Sequence, residues 1–362
     1  MLPAPLYSPI YLTIVTILTI ALSIRYKKLS DYDILHGVNK TLIFQTAIPI
    51  IIALFIGFRP LSGYYFGDMS NYNIYYTSLY GKEFIFSWDK KNFLFDNFIE
   101  WLSANQYEVT TFFVYCSFIY FLGTYIGLRT IFNNNSLYAF ICFLGAFSTF
   151  SYGTNGLKAG MAAAIFYIAL SYYNKPLIFA LFLWISLGFH HSMILPIIAV
   201  VITYFYRNSR IYLLFWFVTL IIAFLHITYF QTLLGEISEE GNNSYLNNID
   251  TDWGGKGGFR LDFILYSCVP IITGYYWYVR RNLKDKLYSI IYNTYILTNG
   301  VWMLCMYASY TNRIAYLSWF LFPLVLIYPL LKFDLFERQG KIVNYTVWGQ
   351  LLFTLAMAYL YY

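Results

Sequence analysis

Charged residues are what this sequence has least of. Asp, Glu, Lys and Arg make up 11% of its 362 residues, less than half of the roughly 25% usual in soluble domains. With a mean hydropathy of +0.56, that scarcity excludes a water-soluble globule and places the chain among multipass membrane proteins. Cysteine is scarce too, at four residues: Cys116, Cys142, Cys268 and Cys305. All lie inside apolar stretches and none pairs at metal-ligand spacing, so they read as small core or lipid-facing residues. The sequence has no zinc motif, no Walker-type phosphate loop and no dinucleotide fingerprint. Any reaction must therefore draw its energy from a substrate that arrives already activated. The N-terminus lacks a basic region and no cleavage site follows the first apolar run, so no cleavable signal peptide is expected.

What the chain does have is apolar length. A helix needs roughly 20 residues to cross the hydrocarbon core, and twelve apolar stretches are read as spans, of which 176–189 and 192–206 are short: 7–24, 41–57, 109–128, 137–152, 158–173, 176–189, 192–206, 211–230, 261–279, 287–307, 314–331 and 342–361. The predicted fold is an all-α integral membrane protein of about 12 transmembrane helices. It forms one polytopic domain over 1–362, with outward loops at about 58–108 and 231–260. Orientation follows from cations. Fifteen of the 23 Lys and Arg residues fall on alternate loops with five acids, and the other side carries eight cations and twelve acids. The positive loops are cytoplasmic by the positive-inside rule, so both termini face outward. The net charge of +6 thus reflects topology and gives no sign of nucleic acid. Aromatics reach 23%; most serve the interface belt and helix packing, and a minority could stack on sugars.

In the first outward loop, Leu94, Phe98, Trp101 and Leu102 share one helical face, while Asn92, Asp96 and Glu100 share another. This predicts an amphipathic helix lying on the outer membrane surface. The second loop carries Gly254-Gly255-Lys256-Gly257-Gly258 and is either a mobile flap over a site or a plain disordered connection.

Four cations sit where that rule disfavours them, at outer helix ends: Arg59, Lys158, Arg260 and Arg313. Such residues are functional-site candidates by default. Arg59 opens a run containing Asp68 and Tyr72; it could fork two hydrogen bonds to a phosphate or pair with Asp68. Lys158 follows Asn155-Gly156-Leu157 in a stretch of small residues (Gly160, Ala162, Ala163, Ala164) suited to close helix packing. At a helix N-terminus its ammonium favours an anion, although it could also snorkel to headgroups. Phe189-His190-His191-Ser192 offers a histidine able to act as general base near neutral pH. Adjacent histidines diverge on a helix, so one of the two is expected to face a cavity. Arg260 and Asp262 stand two apart, which on a helix predicts divergence rather than pairing. Arg313 follows Asn312, with Tyr307 and Tyr310 upstream. His36 and His226 read as structural. Together these groups suit a pocket for a diphosphate-bearing lipid.

The order Arg59…Asp68…Tyr72, Asn155-Gly-Leu-Lys158, Phe189-His-His191-Ser192, Arg260-Leu-Asp262-Phe and Asn312-Arg313 resembles the EpsG-like branch of Wzy-type polysaccharide polymerases over about residues 55–330. Lys158 stands where the family has arginine, keeping charge but losing the fork. The resemblance implies a C-type glycosyltransferase-like bundle in the bacterial inner membrane. It would join undecaprenyl-diphosphate-linked repeat units of O-antigen, capsule or exopolysaccharide on the periplasmic face, with no metal or other cofactor. It implies diphosphate binding by Arg59, Lys158, Arg260 and Arg313. Proton abstraction falls to His191, which takes the family's histidine position, or to His190, Asp68 or Asp262. Tyr72, Tyr75 and Tyr307 would line the glycan path. Expected partners are lipid-linked glycans, membrane lipids, and a chain-length regulator and flippase of the same pathway. A lipid-to-lipid ligase would share the diphosphate pocket. A membrane acyltransferase needs no clustered cations, and a transporter would place charges near the bilayer midplane.

Overall fold

A computed structural model describes residues 2–27, 42–231 and 258–361. These are helical, with no strand among the described residues. The helices are α1 (Tyr7–Lys27), α2 (Leu42–Gly57), α3 (Gly63–Phe66), α4 (Met69–Ser78), α5 (Phe93–Ala104), α6 (Val109–Phe132), α7 (Ser136–Leu144), α8 (Phe147–Thr154), α9 (Leu157–Ser171) and α10 (Pro176–Phe189). They continue as α11 (Ile194–Phe205), α12 (Ser209–Phe224), α13 (Leu261–Tyr275), α14 (Lys286–Leu304), α15 (Thr311–Trp319), α16 (Phe322–Lys332) and α17 (Gln339–Tyr361). Most of the second outward loop, its glycine run up to Gly257, and His36 lie outside the described residues.

Among the described residues, three helical stretches are long and apolar enough to cross a membrane, Ala4–Ile24, Val109–Leu144 and Thr311–Lys332, and five shorter helices are apolar as well. Two expected spans are interrupted. Residues 137–152 form α7 and α8, because Ala146 takes extended backbone and the Thr149 hydroxyl bonds the Phe143 carbonyl at 2.6 Å. Residues 314–331 fall into α15 and α16; Pro323 has no N–H with which to continue the ladder. Helix α12 stops short of residue 230, where His226 adopts a left-handed φ of 56°.

The chain packs as two compact units, Met1–His191 with Leu330–Tyr362, and Ser192–Pro329. In the first, α6 packs against α2 and α9, and α9 against α10. The small residues of α9 make that approach close: Ala162, Ala163 and Ala164 are buried, and the Ser186 hydroxyl of α10 donates to the Ala162 carbonyl at 2.8 Å. Small residues are the standard means of bringing helix backbones together in lipid. Helices α7 and α17 are joined by a reciprocal pair, the Cys142 thiol to Gln350 Oε1 and Gln350 Nε2 to the Cys142 carbonyl, both 2.8 Å.

The second unit is organised on Asn299 of α14. Its Oδ1 accepts from Trp216 Nε1 of α12 at 2.8 Å. Its Nδ2 donates at 3.0 Å to both Ser267 Oγ of α13 and Ser318 Oγ of α15. Trp319 Nε1 adds a bond to Ser267 Oγ at 2.9 Å. A buried amide in an apolar interior must find such partners, and here it ties four helices together.

Candidate functional site

Two of the motifs read separately from the sequence are one structure. Arg59 follows the end of α2, and its Nη1 donates to the Ile56 carbonyl and its Nη2 to the Thr154 carbonyl, both at 2.8 Å. Ile56 and Thr154 lie in the last turns of α2 and α8, where carbonyls lack helical partners and the helix dipole is negative. The guanidinium therefore caps two helix C-termini at once. It lies 5.6 Å from the Phe66 ring centroid and 5.1 Å from that of Phe113, and is only 2% exposed. Burial holds its pKa down to about 10, with smaller upward contributions from Cys116 and Tyr7. The expected alternatives, a phosphate fork or a pair with Asp68, are not what its Nη groups do in this structure.

Eight residues further on, Gly67 turns with φ 54°, and the next residue, Asp68, donates its N–H to Asn155 Oδ1 at 2.8 Å. A Cβ at Gly67 would lie 2.4 Å from that oxygen, so only glycine allows the approach. Asn155 thus holds the Asp68 turn against the junction from which α9 starts.

Lys158 stands in the first turn of α9. Its Nζ is 3.3 Å from Asp96 Oδ1 of α5 and 5.1 Å from the Phe95 ring centroid. The pair is partly exposed, where an ion pair contributes little stability but leaves the ammonium accessible. Helix α5 also reaches the histidine segment: Asn92, just before α5, accepts the His191 N–H on its Oδ1 at 2.8 Å. Gly188 allows this contact, since a Cβ there would meet the Phe93 ring at 2.7 Å. His190 has extended backbone (φ −151°, ψ 114°) and His191 begins a 3-10 turn. The divergence expected for neighbours on a helix therefore does not apply.

Helix α5 buries Phe95, Ile99 and Leu102 in packing against α4, α6 and α10. Of the face expected to meet the membrane, Trp101 is exposed, Leu94 and Phe98 are half-buried, and Leu102 belongs to the buried stripe. Two tyrosines lie against it. Tyr72 packs on Phe95 and Phe112, and the half-exposed Tyr75 donates to Glu100 Oε1 at 2.6 Å. Burial, then the bond to Glu100, raises the Tyr75 pKa. So α5 links the Lys158 and His191 motifs, while Arg59 and Asn155 link the first motif to the second.

In the second unit, Arg260 forms a two-point fork with Asp262, Nε to Oδ1 at 2.9 Å and Nη2 to Oδ2 at 2.5 Å. This corrects the expected divergence. Arg260 is the residue before α13, with non-helical backbone, so helical i, i+2 geometry does not govern it. Its guanidinium also lies 3.6 Å from the Phe263 ring centroid. Arg313, in the first turn of α15, is exposed and lies 4.8 Å from the Tyr310 ring centroid. Tyr307 is buried, its hydroxyl donating to the Ala223 carbonyl at 2.9 Å, and the His226 ring lies 3.9 Å from it.

The partners that sequence reasoning missed are Asn92 and Asp96, read only as the polar face of a surface helix, and Asn155, which had no role assigned. An Asn directly before an amphipathic helix is a cap signal, but its tertiary partner is not encoded locally.

Compared with known families, the chain matches the EpsG family over residues 41–362. No curated protein matches this chain. No solved structure matches it either.

Proposed function

The chain belongs to the EpsG family, whose members are Wzy-type polymerases, and on that premise we propose that it polymerises undecaprenyl-diphosphate-linked repeat units at the periplasmic face of the bacterial inner membrane. The hydroxyl of an incoming unit attacks the anomeric carbon of the donor glycan. A new glycosidic C–O bond forms as the C–O bond to the lipid diphosphate breaks, inverting the centre. The hydroxyl proton passes to a base, for which His191 is the first candidate and His190, Asp68 and Asp262 the others. Preorganised positive charge stabilises the departing diphosphate, usually the largest catalytic contribution.

Among the four cations, Lys158 suits that role best. It combines a helix N-terminus with partial exposure and one displaceable carboxylate partner. Arg260 and Arg313 remain candidates for the same role, and a diphosphate meeting Arg260 would have to share its fork with Asp262. Arg59 acts by position, since both its Nη groups are spent on helix-end carbonyls. About twelve spans with both termini periplasmic complete the reading. The observation that carries the proposal is the wiring of Lys158, Asp96, Asn92 and His191 through α5, which brings a cation and a candidate base into one supported assembly.

The direct test is the purified protein with a synthetic undecaprenyl-diphosphate-linked repeat unit and no nucleotide sugar. A ladder of longer glycans with release of undecaprenyl diphosphate is expected. Transfer of one unit to a different lipid acceptor, with no ladder, would identify a ligase instead.

A further inference from the structure

Between α4 and α5, residues 82–92 run without helix or strand, yet they turn large apolar side chains outward. Ile85 is 73% exposed, Trp88 64%, and Phe86 is exposed as well. An irregular loop does this at a cost in water, and clustered exposed apolar groups mark a contact surface. The loop is also held rigidly from its other side. Buried Asn97 of α5 accepts the Ser87 N–H at 3.0 Å and donates to the Ser87 carbonyl at 2.7 Å and the Phe93 carbonyl at 2.6 Å. Lys90 adds bonds to Asn97 Oδ1 and to Glu100. With its polar side fastened to the protein, the loop holds its apolar side out.

What covers that side is indicated by its neighbour. Trp88 packs at 6.1 Å from Trp184 and 5.1 Å from Phe93. Trp184 belongs to α10, whose exposed residues Leu177, Leu181 and Trp184 repeat at four and three residues and so form one stripe. Helix α10 has no charged residue along its length; in a membrane protein such a stripe faces lipid. Tryptophan at the end of a lipid-facing stripe marks the level of the headgroups, and the exposed Lys82 and Lys91 flank the apolar tip. We propose that residues 82–92 form an interfacial anchor, with Ile85, Phe86 and Trp88 entering the boundary between headgroups and acyl chains beside Trp184.

This goes beyond the polymerase reading and does not depend on it. The membrane contact expected of α5 belongs to the loop before it. The anchor sets the depth of Asn92, and through Asn92 that of His191.

The test uses the full chain in lipid nanodiscs, with an environment-sensitive fluorophore on Ile85→Cys and, separately, on Phe86→Cys. Cys116, Cys142 and Cys305 are buried but Cys268 is half-buried, so labelling of the unsubstituted protein supplies the background to be subtracted. Nitroxide lipids labelled near the headgroup should quench either probe about twofold more strongly than lipids labelled deep in the chain, the signature of interfacial depth. Aqueous iodide should quench weakly. Strong iodide quenching with no lipid quenching overturns the proposal. So does shielding from both quenchers, which would mean that a protein or a second copy of this chain covers the loop.

Discussion

Arg59 carries its charge in near-complete burial with carbonyls of two helix ends as its partners. Arg59→Gln should leave at least one of those carbonyls bare, at a cost of about 1–3 kcal/mol. Arg59→Lys, which keeps charge but loses the fork, should recover only part of it. Melting in detergent checks this: polymer yield should fall in step with the thermal midpoint. A variant of full stability that makes no polymer would instead put Arg59 on the substrate. With its pKa held down to about 10, Arg59 stays protonated near neutrality whether folded or unfolded. It then adds no pH slope to stability there; the contribution would appear only above about 10, where stability rises with pH as the unfolded chain keeps the proton longer. Wild type and Arg59→Gln should therefore melt with the same pH dependence near neutrality. At Lys158 the expectation differs. Lys158→Ala should lower polymerisation by ~10²–10³ with little change in melting, because a partly exposed pair holds little stability. Asp96→Asn, which frees the ammonium, should keep activity within about tenfold of wild type.

Helix α5 shows what periodicity can and cannot decide. Both Leu94-Phe98-Trp101 and Phe95-Ile99-Leu102 repeat at helical spacing, so the helix itself was legible while its inward face was not. That face is chosen by what it meets: Phe112 of α6 beside Phe95, and Phe93 and Leu94 beside Gly188. Gly188→Ala should act as an overpacking change of about 1–3 kcal/mol, read as a lower melting midpoint together with reduced activity from the displaced His191 segment. The interrupted spans teach the same lesson. Residues 137–152 carry no charge, and the break at Ala146 depends on a hydroxyl bond that hydropathy does not register. The Arg260–Asp262 fork escapes the helical i, i+2 rule because α13 begins one residue after Arg260 and leaves its backbone non-helical. In the second unit, Asn299→Leu should strand Trp216 Nε1, whereas Ser267 keeps its bond from Trp319 and Ser318 its bond to the Ala315 carbonyl. A loss of about 1–3 kcal/mol for that unsatisfied donor would show as a fall in melting midpoint.

For the whole molecule, scarcity of charge points to a membrane protein, with which three long apolar helices among the described residues are consistent, and the order of short polar motifs was enough to place it in its family. The links between motifs were not legible, since Asn155 to Asp68 and Asn92 to His191 join residues 87 and 99 positions apart. Those links turn isolated polar residues into a supported assembly. On the proposed function, this assembly serves chain growth on a prenyl diphosphate. That is read from the lipid-linked glycans of a strain lacking this gene, complemented by wild type or by Lys158→Ala. Single repeat units are expected in the deletion strain, polymer on complementation with wild type, and single units again with Lys158→Ala at normal protein level. Long polymer persisting on the lipid carrier in the deletion strain, or full polymer from Lys158→Ala, would contradict that function.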